Sequence, residues 1–250
     1  MTAAVIVQAR MASTRLPGKV LMDLGGRTVL DHVLTRCKAV AGADIVCCAI
    51  PDTPDCAPLA DAARALDCAV FVGSEADVLA RYWGAAEMVG AETILRVTSD
   101  CPLIDPTICA RVLAEVTAGR ADFACNNMPP SWPHGLDCEA VSFTWLTQAY
   151  EEAEKKFERE HVMPWIRNND AVKKANVAGP GGGIEHHRWT LDNPQDMEFL
   201  RALWPRLPGD GPDSWSYEVP LAIVEADPDL AAINAGQDRL EGLKKSMRES

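Results

Sequence analysis

Several things are missing from this chain, and each absence removes a class of protein. Its nine cysteines contain no C-x-x-C and no metal-ligand spacing, so a zinc module or a thioredoxin-like redox pair has nothing to rest on. Neither G-x-x-x-x-G-K nor G-x-G-x-x-G occurs, which sets aside the Walker A loop and the dinucleotide fingerprint. No apolar run approaches the roughly 20 residues that span a bilayer. No charged segment leading into an apolar one opens the chain, so no secretory signal is expected. Positive charge is in deficit, with 24 Lys and Arg against 36 Asp and Glu and a formal net charge of -12. That balance argues against nucleic-acid partners and against anionic membranes. There is no internal repeat, low-complexity tract or strong linker.

Against this acidic background one loop is cationic. Residues 6–20 read IVQARMASTRLPGKV: the strand-like run Val5–Val7 empties into a loop carrying Arg10, Arg15 and Lys19, with Pro17-Gly18 turning the chain between them. Converging cations next to a strand end fit an anionic ligand, a nucleoside triphosphate above all, held at the mouth of a parallel sheet. The alternative is a solvated surface loop with incidental charges.

The remainder alternates short apolar runs with helical patterns, and 48% hydrophobic residues over 250 positions supply an ample core. Strands are expected at Val5–Val7, Ile45–Ile50, Ala69–Val72, Thr93–Val97, Asp122–Asn126, Leu136–Phe143 and Arg188–Leu191. Helices are expected at Val29–Val40, Leu59–Leu66, Glu75–Val89, Pro106–Val116, Thr144–Lys155, Glu158–Asn168 and Pro194–Trp204, with two short ones after Tyr217. This rhythm predicts an α/β fold around a mostly parallel sheet with right-handed crossovers. Three prolines between Pro129 and Pro133 and the glycines between Gly179 and Gly183 mark loops. One domain over 1–250 is expected, with a small inserted lobe near 126–190 for acceptor binding. The cysteines are expected to be reduced and structural, in a cytoplasmic protein.

Two aspartates fall just past expected strand ends. Asp100 and Asp192 could each hold a magnesium ion that bridges phosphate oxygens, or each could cap the helix that follows; for Asp105, before Pro106, the cap is preferred. Two further clusters carry polar side chains: Pro133–Glu139, with Asp137 and Glu139, and Glu158–Val162, with Glu160 and His161. Zinc ligation there lacks cysteine at a sensible spacing, so contacts to an acceptor substrate are the better expectation.

Three segments together, Gln8–Lys19, Gly73–Tyr82 and the stretch around Asp100, resemble the nucleotide-activating cytidylyltransferases, in particular the spore coat polysaccharide proteins of the SpsF type. These are similar to the acylneuraminate and 3-deoxy-manno-octulosonate cytidylyltransferases. The likeness runs from Val5 to about Asp196. It implies a nucleotide-diphospho-sugar transferase fold, a three-layer α/β/α sandwich of GT-A-like type. It also implies transfer of CMP from CTP to a sugar acid with release of pyrophosphate, in the biosynthesis of a surface polysaccharide or glycan. By the same resemblance Arg10, Arg15 and Lys19 contact the triphosphate, and Ser74, Asp77 and Arg81 lie near the nucleotide. Asp100 and Asp192 hold Mg²⁺, and Arg10, Lys19 and Asp100 carry the catalysis. The helical insertion supplies homodimer contacts. One departure is Ala12, at a loop position that is often glycine. Two rival functions remain: a nucleotide-sugar-dependent glycosyltransferase, although no D-x-D surrounds Asp100, and a nucleotide-binding relative without catalysis.

Overall fold

The computed structural model describes residues 1–209, 211, 214–237 and 239; the last positions of the expected 1–250 domain lie outside the described residues. The elements in chain order are β1 (Ala3–Gln8), β2 (Asp23–Leu24), β3 (Arg27–Thr28), α1 (Val29–Lys38), β4 (Ile45–Pro51), α2 (Ala57–Ala65), β5 (Ala69–Gly73), α3 (Val78–Met88), β6 (Thr93–Thr98) and α4 (Pro106–Thr117). There follow β7 (Phe123–Cys125), β8 (Glu139–Ser142), α5 (Phe143–Glu152), α6 (Lys156–His161), α7 (Pro164–Asn168), β9 (Lys174–Asn176), α8 (Pro194–Leu203), α9 (Glu218–Glu225) and α10 (Pro228–Ala232).

Seven strands form one sheet in the order β5-β4-β1-β6-β8-β7-β9. Neighbours are parallel from β5 through β6; β8 runs antiparallel to both β6 and β7, and β9 is parallel to β7. Alternation along β1 shows how the sequence builds two faces. Val5 and Val7 pack on one side with Val33, Leu59 and Val112 of α1, α2 and α4. Ala4 and Ile6 pack on the other with Leu79, Tyr82 and Leu146 of α3 and α5. The result is the expected α/β/α sandwich. Burial of each such leucine contributes about 1.5–3 kcal/mol.

Helix boundaries follow local chemistry. Thr28 and Asp31 form a capping box on α1, and Asp105 caps α4 by accepting from Thr107 and Ile108 N–H at 2.7 and 3.0 Å. Asp77, rather than Glu75, opens α3, because its side chain accepts from Ala80 N–H at 2.9 Å. All nine cysteines are buried free thiols, and burial pushes Cys47 up to about 12, so they behave as small apolar residues.

Two expectations need correction. The single helix over Glu158–Asn168 is two, α6 and α7, because Val162 adopts φ 71° and Pro164 starts a new helix. Arg188–Leu191 is not a strand. Its backbone is used singly: Arg188 makes one bridge to His134, Trp189 N–H donates to His134 O at 2.6 Å, and Leu191 N–H donates to Asp100 O at 2.8 Å. The segment 126–190 contributes β8 and β9 to the main sheet, and α5–α7 cover one face of it. No described helix is long and apolar enough to cross a membrane.

Candidate active site

The C-terminal ends of β1 and β6 open into a cleft of about 520 Å³, lined among others by Arg10, Arg15, Lys19, Arg81, Asp100 and Asp192. In parallel sheets this edge is where ligands bind. The loop after β1 folds back on itself. Gly18 sits at φ +68°, where glycine is at ease, and its N–H donates to Met11 O at 3.2 Å. This turn launches the short 3₁₀ helix Lys19–Leu21 and directs Lys19 into the cleft.

Lys19 is the hub. Its Nζ donates to Asp100 Oδ2 at 2.8 Å, Asp192 Oδ1 at 3.0 Å and Leu191 O at 2.6 Å. Burial disfavours its charge, yet the two carboxylates together outweigh burial and raise its pKa above the ordinary lysine value. Burial likewise opposes ionisation of Asp100, but Lys19 and a hydrogen bond from Thr98 hold its carboxyl well below the usual range. Asp192 is pushed up by burial and by Asp100; Lys19 and Arg15 reverse this and keep it low. Arg15 Nη2 is 3.1 Å from Asp192 Oδ1. Arg10 stands exposed at the rim. Both aspartates are therefore charged and reach one common point. Leu191 N–H on Asp100 O, and Thr190 Oγ1 3.3 Å from the same carbonyl oxygen, tie the two segments together.

Arg81 forms part of the wall. It is fully buried, its Nη1 donates to Ser74 O and Glu75 O, and its Nε has no partner among the described residues. Burial, and after it the proximity of Arg10, lowers its pKa. Glu160 of α6 also lines the cleft.

Other expected site residues lie elsewhere. Ser74 Oγ accepts from Asp77 N–H at 3.1 Å, and Asp77 caps α3 and pairs with Arg159. Glu139, on β8, is 2% exposed and shared by Arg96 and Arg167. Asp137 accepts from Arg239 Nη2 at 2.6 Å. His161 ends α6; its Nε2 is buried without a hydrogen-bond partner among the described residues, and burial lowers its pKa. The sequence reading missed Arg188, Asp196 and Asn234, which stand directly behind Asp192. The only signal for them was Asp196, three residues after Asn193 in a capping box.

Among the described residues no three His, Cys, Asp or Glu side chains gather as a metal site. What the cleft offers is a pair of ionised carboxylates meeting on one cation. All-oxygen donation from one or two carboxylates, completed by water and substrate phosphate, is what Mg²⁺ uses, so the donor set fits such an ion.

A cationic loop facing Asp100, just past the end of β6, and Asp192, on the irregular segment tied to it, fits a nucleotidyltransferase. The chain belongs to the cytidylyltransferase family, whose model matches residues 4–192. It is 30% identical over 233 residues to the spore coat polysaccharide biosynthesis protein SpsF of Bacillus subtilis, spanning 90% of this chain and 95% of that one. It is 33% identical over 221 residues to the 3-deoxy-manno-octulosonate cytidylyltransferase of Yersinia pseudotuberculosis, spanning 80% and 84%. The structure of a cytidylyltransferase from Leptospira borgpetersenii superposes with a TM-score of 0.87 at 26% identity, covering 95% of this chain and 98% of that one.

Proposed function

We propose that the cleft binds CTP and transfers its CMP moiety to a sugar acid, releasing pyrophosphate, in the making of a surface polysaccharide or glycan. The observation that carries this reading is the convergence of Arg10, Arg15 and Lys19 with Asp100 and Asp192 around one cleft. The base and acceptor classes come from the relatives: one is a cytidylyltransferase acting on an octulosonate, another a polysaccharide biosynthesis protein.

In this reading Arg10 steers the α-phosphate, while Arg15 and Lys19 take the charge that builds on the departing pyrophosphate. Asp100 and Asp192 hold a divalent ion, Mg²⁺ by the donor set; when bound, it neutralises phosphate charge and polarises the phosphorus–oxygen bonds. A sugar hydroxyl attacks the α-phosphorus in line with the leaving oxygen. The protein contributes chiefly position and charge neutralisation. Arg81, fixed to the β5–α3 turn, forms the wall on the nucleotide side, with Ser74 and Asp77 holding that turn. Glu160 stands on the acceptor side, with His161 behind it.

The test is pyrophosphate release from CTP and Mg²⁺ with a panel of sugar acids, nonulosonic and octulosonic. Release that requires both CTP and one acceptor supports the reading. Nucleotide binding without release on any acceptor contradicts it, as does turnover of a nucleotide sugar instead of CTP.

A further inference from the structure

Asp192 is gripped from behind. Its Oδ1 faces Lys19 and Arg15 in the cleft, while its Oδ2 accepts from Arg188 Nη2 at 2.9 Å. Arg188 is itself locked in place. Its Nε and Nη2 donate to the two oxygens of Asp196 at 2.8 and 3.0 Å. Asn234 Nδ2 donates to Asp196 Oδ1 at 2.9 Å and to the Arg188 carbonyl at 3.0 Å. Arg188 Nη1 lies 3.2 Å from His134 Nδ1. A guanidinium only donates, so His134 Nδ1 accepts, and the neutral ring carries its proton on Nε2.

These groups are nearly dry: Arg188 is 9% exposed, Asn234 3% and Asp196 0%. Arg188 does not line the cleft. Its supports come from the loop before β8, the first turn of α8 and the chain after α10; Asp196 and Asn234 lie beyond residue 192, where the family match ends.

We propose that Arg188 is a positioning residue: held by Asp196, Asn234 and His134, it pins one oxygen of Asp192 and thereby presents the other to the cation site of the cleft. This rests on the reading of Asp100 and Asp192 as the divalent-metal pair. A carboxylate with one oxygen fixed loses the freedom to rotate away, and loss of partners of this kind typically weakens the hold on the ion by about 10–100-fold.

The test measures CTP binding by calorimetry in EDTA and in Mn²⁺, together with thermal melting. The proteins are wild type, Arg188→Lys, Asn234→Ala, Asp192→Asn and the Arg188→Lys/Asp192→Asn double variant. Lysine keeps the charge beside Asp196 but cannot serve two carboxylates with one planar fork. The expected result is that Arg188→Lys leaves CTP affinity in EDTA within about twofold while cutting its enhancement by Mn²⁺ about tenfold or more. The Asp192→Asn background abolishes that difference, because Arg188 acts through Asp192. Should Arg188→Lys fail to fold, Asn234→Ala makes the same comparison, with a smaller loss of about threefold.

A lowered melting temperature with undiminished Mn²⁺ enhancement overturns the inference and leaves the proposed function standing, and so does an equal effect in both Asp192 backgrounds. If Mn²⁺ does not strengthen CTP binding to wild type, the metal reading falls and takes the inference with it.

Discussion

Lys19 and Asp100, 81 residues apart in sequence, meet at 2.8 Å across the end of the sheet. The contact keeps both partners charged and lies in the cleft proposed to bind CTP.

Replacing Asp100 by Asn keeps the shape of this contact and removes its charge. Pyrophosphate release is expected to fall by more than about tenfold, equivalent to about 1.4 kcal/mol of barrier, with CTP binding weakened but present. Turnover within tenfold of wild type would remove Asp100 from the principal metal pair.

Glu139 offers a contrast. Its two oxygens are taken by Arg96 at 2.7 Å and Arg167 at 2.9 Å, and its side chain is 3% exposed. Glu139→Gln leaves two cations without their shared anion, and breaking buried pairs of this type costs about 3–5 kcal/mol. The expected outcome is a fall in melting temperature of roughly ten degrees, with activity lost in proportion to unfolding. An unchanged melting temperature with a raised KM for the acceptor would instead make Glu139 a substrate contact.

Much of this was legible in the sequence. Short continuous apolar runs located β1 and β4, and Pro106 marked the first turn of α4. The cations of the first loop and the two aspartates were visible as types and positions, although only Asp100 follows a strand. Spatial order was not. Nothing along the chain states that β8 inserts antiparallel between β6 and β7, since pairing depends on contacts distant in sequence. Arg188–Leu191 has a strand's composition, but its N–H groups are spent on His134 and Asp100 rather than on a ladder. The grip on Asp192 draws on residues 134, 188, 196 and 234, a spacing that no local pattern reports. Lys174–Asn176, as β9, is too short for period two to stand out.

Gly135 holds the loop of His134 against the segment of Arg188. At φ +114° a β-carbon there would meet Thr190 N and the Trp189 carbonyl carbon at 2.6 Å. Gly119 has a positive φ of +68° but open space around it. Gly135→Ala is therefore expected to cost more than about 2 kcal/mol in urea unfolding, whereas Gly119→Ala costs about 1 kcal/mol. Equal costs would show that close approach at Gly135 is unimportant.

Burial lowers the pKa of His161 and His187 from the ordinary 6.5. The unfolded chain then binds protons near pH 6.5 that the folded chain refuses until lower pH. Where the unfolded state holds more protons, stability rises with pH. Stability is thus expected to be level above pH 7 and to decline as pH falls through 6.5 towards the depressed folded values. Urea midpoints at pH 7.5 and 5.5 measure this, and replacing both histidines by Gln is expected to shrink the difference. A difference that survives undiminished would assign it to other groups.

Asp100 and Asp192 are proposed to share one divalent ion beside a nucleoside triphosphate held by Arg10, Arg15 and Lys19. Anomalous diffraction from crystals grown with CTP and Mn²⁺ tests it most directly. The expected result is an anomalous peak ligated by both aspartates and by phosphate oxygens, with the triphosphate against the first loop. A nucleotide bound in the cleft with no peak between the aspartates, or a peak that either carboxylate fails to reach, would contradict it.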